Sequence, residues 1–136
     1  MMTSNNTILI VDDEKLIRDI FENSLTKAGY KVCSAESAEQ ALEILSGKDI
    51  LVIFSDLKLT KMSGYELCKI IRQNNPVTII YAVTGYTTIF DIFESRRAGF
   101  DDFFIKPFSI ERLIKAAQEA FEKLERWNIL PYVSTD

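Results

Sequence analysis

Five short apolar runs alternate with segments of helical periodicity along the chain. Ile8 to Val11, mostly β-branched, forms the first run and stops abruptly at Asp12-Asp13-Glu14. Ile17, Ile20, Phe21 and Leu25 then recur at helical spacing up to Gly29, so a strand is followed by a helix. Tyr30 to Ser34 reads as a second strand. Ser37 opens a second helix, with Gln40 three residues on as in a capping box. Ala38, Ala41, Leu42 and Leu45 make its apolar face, and Gly47 ends it. Ile50 to Phe54 is apolar at every position, which marks a central strand of a parallel sheet, buried on both faces. Ser63 and Glu66 repeat the capping-box pattern ahead of a helix face of Leu67, Ile70 and Ile71. After Pro76, Val77 to Val83 predicts a fourth strand, Thr87 to Ala98 a helix closed by Gly99, and Asp102 to Ile105 a fifth strand. Lys106-Pro107-Phe108 turns the chain. Ser109 is then the natural N-cap of a last helix with Leu113, Ala116, Ala117, Ala120, Phe121 and Leu124 inward.

Five strand–helix pairs in strict alternation predict an α/β fold, a doubly wound parallel sheet with five helices on its two faces and right-handed crossovers. At 136 residues the length suits one domain, residues 8–126. A polar extension, 1–7, precedes it, and 127–136 reads as a C-terminal tail or the start of a linker. A content of 47% hydrophobic and 26% charged residues supports a packed core rather than disorder. The net charge of −4 argues against direct nucleic-acid binding, which needs a basic stripe. No run approaches the roughly 20 apolar residues of a membrane span, and residues 1–7 lack the apolar core of a secretory signal. A cytoplasmic protein without a membrane contact is therefore expected. The chain contains no histidine, so histidine catalysis, histidine metal ligation and a phosphohistidine on this chain are excluded. Cys33 and Cys68 lie in apolar segments with no Cys-x-x-Cys spacing and read as reduced core thiols.

In open parallel sheets, ligands bind beyond the carboxyl ends of the strands. Asp12 and Asp13 follow the first strand there, Asp56 the third, Thr84 the fourth and Lys106-Pro107 the fifth. Three carboxylates this close repel one another unless a cation joins them. A hard divalent ion with oxygen ligands, Mg²⁺ above all, suits one or two carboxylates with phosphate oxygens and waters. An ammonium and a hydroxyl on the same rim would hold the other oxygens of a phosphoryl group. Asp56 would be the nucleophile that forms an acyl phosphate. No Gly-rich phosphate loop is present, so a nucleotide site has no support.

These residues resemble the receiver domain of two-component response regulators, from about Ile8 to Leu124. The resemblance rests on Asp12-Asp13, on Asp56 to Gly64, on Thr84-Gly85 and on Lys106-Pro107-Phe108, in order at successive strand ends. It implies a flavodoxin-like sheet of strand order 2-1-3-4-5. Asp56 would be the phosphoacceptor, served by a cognate histidine kinase or phosphotransfer protein. Asp13, Asp56 and the backbone carbonyl of Lys58 would bind Mg²⁺, with Asp12 acting through a metal-bound water. Thr84 and Lys106 would contact phosphoryl oxygens. Phe103 would rotate inward behind Thr84 and reshape the face of the fourth helix, fifth strand and fifth helix, where a partner or second copy would dock. The bond before Pro107 is expected to be cis. Such a domain catalyses only its own phosphorylation and dephosphorylation.

Several positions depart from the family pattern. Leu59, Thr60 and Ser63 stand where methionine, proline and an acidic or amide cap are common. Phe103 replaces the frequent tyrosine and loses a hydroxyl. Lys58 and Tyr86 flank the path of a hydrolytic water, where a long cation and a large ring would obstruct it and lengthen the life of the phosphorylated form. Other readings stay open at this level. Asp13 could be only the N-cap of the first helix, and Lys106 only a solvated lysine. Ile89, Phe90, Ile92 and Phe93 could be a wide core stripe or an exposed patch. Arg96-Arg97 and Asp101-Asp102 could be a solvated charge cluster or could pair across a two-fold interface. Competing functions are a receiver-like scaffold that is never phosphorylated, and an Mg²⁺-dependent phosphatase with an Asp nucleophile. The latter wants a second acid where Lys58 stands, and a flavodoxin-like electron carrier would find its phosphate repelled by Asp12-Asp13-Glu14.

Overall fold

The computed structural model describes residues 6–85 and 87–127. Elements alternate as β1 (Thr7–Val11), α1 (Lys15–Lys27), β2 (Lys31–Ala35), α2 (Ala38–Gly47), β3 (Val52–Asp56), α3 (Gly64–Asn74), β4 (Ile79–Thr84), α4 (Ile89–Ala98), β5 (Asp102–Ile105) and α5 (Ile110–Arg126). All neighbouring strands are parallel, in the order β2-β1-β3-β4-β5. Tyr86 and residues 128–136 lie outside the described residues. Among those described, no helix is long and apolar enough to cross a membrane.

Strand side chains alternate between two cores. Ile8, Ile10, Val52, Phe54, Tyr81, Val83 and Phe104 meet Phe21 and Leu25 of α1 and Leu113, Ala117, Ala120 and Leu124 of α5. Leu9, Val11, Ile53, Ile80 and Ala82 meet Ala38 and Ala41 of α2, Leu67, Cys68 and Ile71 of α3, and Ala98 of α4. The small alanines let the helices lie close to the sheet. Phe54, Tyr81 and Phe104 step edge-to-face across β3, β4 and β5, with ring centroids 5.1 and 5.5 Å apart. Phe108 extends the row, stacked on Phe104 and edge-on to Phe21. It anchors the chain just after the Lys106–Pro107 peptide, which is cis.

Two strands begin and end later than the apolar runs. β3 is Val52–Asp56 rather than Ile50 to Phe54, because the ladder pairs Val52 with Ile8 and with Ile79. Ile50 and Leu51 are buried ahead of it. β4 likewise starts at Ile79 and includes Thr84, leaving Val77 partly exposed. Hydrophobicity records burial, whereas strand limits follow hydrogen-bond register. The N-cap of α1 is Glu14, which makes no side-chain cap bond, so Asp13 does not cap this helix. Ser37 accepts from the Gln40 N–H as expected, but the Gln40 carbonyl oxygen reaches the N–H of Glu36 rather than that of Ser37. Ser63 and Glu66 form the full box.

Helix α4 is held in an unusual way. Ile89, Phe90, Ile92 and Phe93 are 70, 63, 41 and 58% exposed, so they form a surface patch and not a core stripe. The helix buries Asp91, Ser95 and Ala98 instead. Thr88 and Asp91 make a reciprocal capping box, and Gly99 ends the helix in the left-handed region. Below it, the Arg72 guanidinium donates to the carbonyls of Pro76 and Gly99 and to Asp101 at 2.9 Å, while Asp101 also accepts from the Ile80 N–H. Asp101 is thereby tied within the chain through its Oδ2. Arg97 pairs with Glu94, and Arg96, Arg97 and Asp102 are exposed.

Gly64, at the first position of α3, packs directly on the backbone of Asp56 and Leu57. An added Cβ would collide with the Asp56 carbonyl oxygen, and the Gly64 N–H donates to the Leu57 carbonyl at 3.0 Å. Helix propensity alone favours alanine there by up to about 1 kcal/mol. Backbone cannot yield as a flexible side chain can, so Gly64→Ala is expected to destabilise by about 1–3 kcal/mol in urea unfolding; a gain in stability would refute the close approach.

The Tyr65 hydroxyl, chiefly, holds the Asp91 carboxyl below the usual carboxylate range against the opposing effect of burial, with help from Thr88 and Lys58. Such a group stabilises the fold above its unfolded-state value near 4 and loses that contribution as pH falls through its lower folded value. The stability gap between wild type and Asp91→Asn is therefore expected to stay constant between about pH 5 and pH 8 and to shrink below about pH 4. A series of urea melts checks this, and a gap undiminished in acid would show that the charge of Asp91 is not its source.

Candidate functional site

The carboxyl ends of β1, β3, β4 and β5 open into one cleft of about 530 Å³. Asp13, Glu14, Asp56, Lys58, Thr84, Gly85, Lys106 and Pro107 line it. Asp12 lies beneath, 2% exposed. A second cavity of about 480 Å³ lies between α2 and α3 at the opposite end of the sheet, walled by Leu42, Leu45, Ile70 and Ile71 with Asp49 as its one carboxylate. It lies off the carboxyl edge, and its other polar lining is Ser46, Lys48, Asn74, Asn75 and Thr78.

Backbone geometry places each acid. The Asp12 N–H donates to the Ala35 carbonyl, which keeps the chain extended past β1, and Arg18 donates to the Asp12 carbonyl at 2.7 Å. Asp12 Oδ1 accepts from the Glu14 N–H at 2.9 Å. Asp56 ends β3, and its Oδ1 accepts from the Lys58 N–H at 3.2 Å. Asp13 is exposed, and among the described residues nothing donates to its carboxylate. One oxygen each from Asp12, Asp13 and Asp56 fits within 4.8 Å of the others.

Lys106 enters this cluster from the β5–α5 loop. Its Nζ lies 2.9 Å from Asp12 Oδ2, 3.3 Å from Asp56 Oδ2 and 3.5 Å from Glu14 Oε1, and its side chain is largely buried. It is not a solvated surface lysine. Burial by itself would lower the pKa of this ammonium, but the hydrogen bonds and charges of Asp12 and Asp56 outweigh it and raise the value above the ordinary one. Burial raises Asp56 above the usual carboxylate range, opposed by the Lys58 N–H and by Lys106 and reinforced by the charge of Asp12. Like charges about 5 Å apart repel by roughly 3 kcal/mol per pair at an effective dielectric of 20, before solvent screens the exposed Asp13. One ammonium therefore leaves an excess of negative charge. The donor set, all hard carboxylate oxygens on one open rim, fits a small divalent cation.

Thr84 is buried at the end of β4, and its carbonyl accepts from the Lys106 N–H at 2.7 Å, which ties these two strand ends together. Strand alternation puts Thr84 and Phe103 on the same face of the sheet, the face that carries α4. Phe103 is half-buried there and does not line the cleft. The structure thus brings Asp12, Asp13, Asp56, Thr84 and Lys106 together, sets Lys58 at the mouth and Phe103 behind. Tyr86 falls outside the described residues.

The structural roles of four neighbours escaped the sequence reading. Glu14 reaches Lys106, and Arg18 fixes the Asp12 carbonyl. Gly64 sets the distance between α3 and the Asp56 backbone. A glycine right after an N-cap serine was the available signal for it. Asp91 joins the site indirectly, accepting from the Tyr65 hydroxyl at 2.6 Å with Lys58 Nζ at 3.8 Å from the same oxygen. Nothing in the sequence linked residues 58, 65 and 91.

The family model for the response regulator receiver domain matches residues 8–118. The chain is 35% identical over 127 residues to the probable transcriptional regulator ycf27 of Cyanidium caldarium, covering 92% of this chain and 51% of that protein. It spans about half the length of the curated relatives it matches first. Among solved structures it is similar to a CheY-like receiver domain protein from Methanospirillum hungatei JF-1, with a TM-score of 0.86 and 30% identity, covering 90% of this chain and 98% of that one. It is also similar to the beryllofluoride-activated NtrC4 receiver domain dimer, with a TM-score of 0.82 and 26% identity, covering 87% of this chain and 98% of that one. With its 2-1-3-4-5 parallel sheet and its acidic cleft, the chain belongs to the response regulator receiver domain family of two-component signalling.

Proposed function

We propose that this receiver accepts a phosphoryl group on Asp56 from a phosphohistidine of a cognate kinase or phosphotransfer protein. The gathering of Asp12, Asp13 and Asp56 on one rim, with the Lys106 ammonium held between Asp12 and Asp56, carries this reading. A carboxylate oxygen of Asp56 forms the new O–P bond as the P–N bond of the donor breaks, and the electron pair of that bond leaves on the donor imidazole. The chain itself has no histidine, so the donor is another protein or another module.

Asp13, Asp56 and the backbone carbonyl of Lys58 would hold Mg²⁺, with Asp12 acting through a metal-bound water. The ion would supply charge neutralisation between carboxylate and phosphoryl oxygens. Lys106 balances the negative charge that the acyl phosphate adds, and its bonds to Asp12 and Asp56 keep it on the rim beforehand. Thr84 offers a hydroxyl at the end of β4. Its move toward the phosphoryl group makes room for Phe103 on the same face, and Phe103 acts by packing alone because it lacks a hydroxyl.

The readout face is α4, β5 and α5. Ile89, Phe90 and Phe93 of α4, Ile105 of β5 and Ile110 of α5 are all exposed large apolar side chains, more than a monomer needs on one face. Homodimerisation or the docking of an output partner there covers them, and the likeness to a receiver dimer supports it. With a net charge of −4, the chain signals through protein contacts and not by binding nucleic acid itself. As a receiver it is a regulatory module, and its place is the cytoplasm, where a histidine kinase presents its phosphohistidine.

Incubation with acetyl phosphate and Mg²⁺ is expected to add one phosphoryl group by mass spectrometry, and Asp56→Ala is expected to abolish it. Retention of the modification in that variant would overturn the assignment. Lys58 lines the cleft with its ammonium held beside Asp91, and Tyr86 stands two residues beyond Thr84. By the family pattern these two positions would flank the path of an attacking water, where a long cation and a large ring would obstruct it. Lys58→Asn combined with Tyr86→Glu is therefore expected to shorten the life of the phosphorylated form several-fold, as followed by mass spectrometry after acetyl phosphate is removed.

A further inference from the structure

The end of α5 and the entry to β4 enclose a groove of about 270 Å³ at the amino edge of the sheet, opposite the acidic cleft. Val77 and Trp127, 40 and 72% exposed, line it together with Pro76 and the buried Ile79 and Leu124. The Trp127 N–H donates to the Lys123 carbonyl at 3.2 Å, so its backbone is still held to the last turn of the helix. The charged pair in the groove is already satisfied. Arg72 donates to the Pro76 carbonyl at 2.8 Å and to Asp101 at 2.9 Å. Neither charge calls for a ligand, and what the groove offers is apolar surface.

Its size and the adjoining sequence select the occupant. A stable dimer engages roughly 20–30 residues a side, far more than this groove presents. The sequence supplies a segment two residues away. Ile129-Leu130-Pro131-Tyr132-Val133 is an unbroken apolar and aromatic stretch. No charge stands between Asn128 and Thr135, whereas α5 before them is dense in Glu, Lys and Arg. Pro131 disfavours helical backbone at Leu130, which favours departure from the α5 axis within a turn of Trp127. Five extended residues reach about 17 Å, and the groove they would enter has residue 127 in its wall. So short a tether gives the segment an effective concentration on the order of millimolar.

We propose that residues 129–133 fold back and dock in this groove, as a strap between the end of α5 and the entry to β4. Contact with Val77 and Trp127 holds the strap in place. It pins the last turn of α5, an element of the proposed readout face, to the sheet. The strap is independent of the assignment of Asp56.

Trp127 is the single tryptophan of the chain, so its fluorescence reports on this groove. In the full chain, the combination of Ile129→Ser, Leu130→Ser and Val133→Ser is expected to shift its emission to the red. The same combination is expected to raise its acrylamide quenching constant roughly two- to threefold. Val77→Ser, across the groove, is expected to act in the same direction and to add nothing once the three serines are present. Emission and quenching left unchanged by the three serines overturn the strap. A change that Val77→Ser does not share places the segment outside the groove and overturns it as well. Protection of Trp127 that wild type loses on dilution assigns the groove to a second copy, which also overturns it.

Discussion

Electrostatic tension at the carboxyl edge of the sheet governs this molecule. The ends of two strands and a loop carry Asp12, Asp13, Asp56 and Lys106 to one rim, where the acids outnumber the ammonium. A protein interior selected for stability alone would replace such a cluster with apolar packing. Here the surplus negative charge is retained, half-sheltered from water, and its relief depends on a cation. In the proposed function a divalent ion and a phosphoryl group would make the same residues complementary, so that the charge state of the rim would set the state of the domain.

The rest of the fold serves to hold that rim without collapsing it. The aromatic row from Phe54 through Tyr81 and Phe104 to Phe108 and Phe21 fixes β3, β4, β5, the Lys106 loop and α1 against one another. Gly64 lets α3 start in contact with the Asp56 backbone. Arg72 performs the corresponding service at the far end, joining α3, the start of β4 and the turn into β5. α4 is the exception to this firmness. It is anchored by hydrogen bonds around Asp91 and exposes its large apolar side chains, which suits the readout face proposed for it.

Much of this was legible in the residue pattern. Strict alternation of strand and helix gave the layered α/β architecture, and the capping serines Ser37, Ser63 and Ser109 marked helix starts to the residue. Strand limits were less legible, because Ile50, Leu51 and Val77 are apolar for burial or for surface contact and not for pairing. The acids and Lys106 were legible as a group since each follows a strand, and parallel strands share one carboxyl edge.

What the chain alone determined, then, is which elements form and which chemical groups stand at their ends, since both depend on local periodicity and on short-range capping. Tertiary structure decided the rest. Only packing showed that Asp13 caps nothing, that Lys106 is buried among acids, that the apolar side of α4 faces water, and that Tyr65 and Asp91 meet. Such contacts join residues far apart in sequence through directional bonds, and no pattern along one strand or one helix encodes a partner on another.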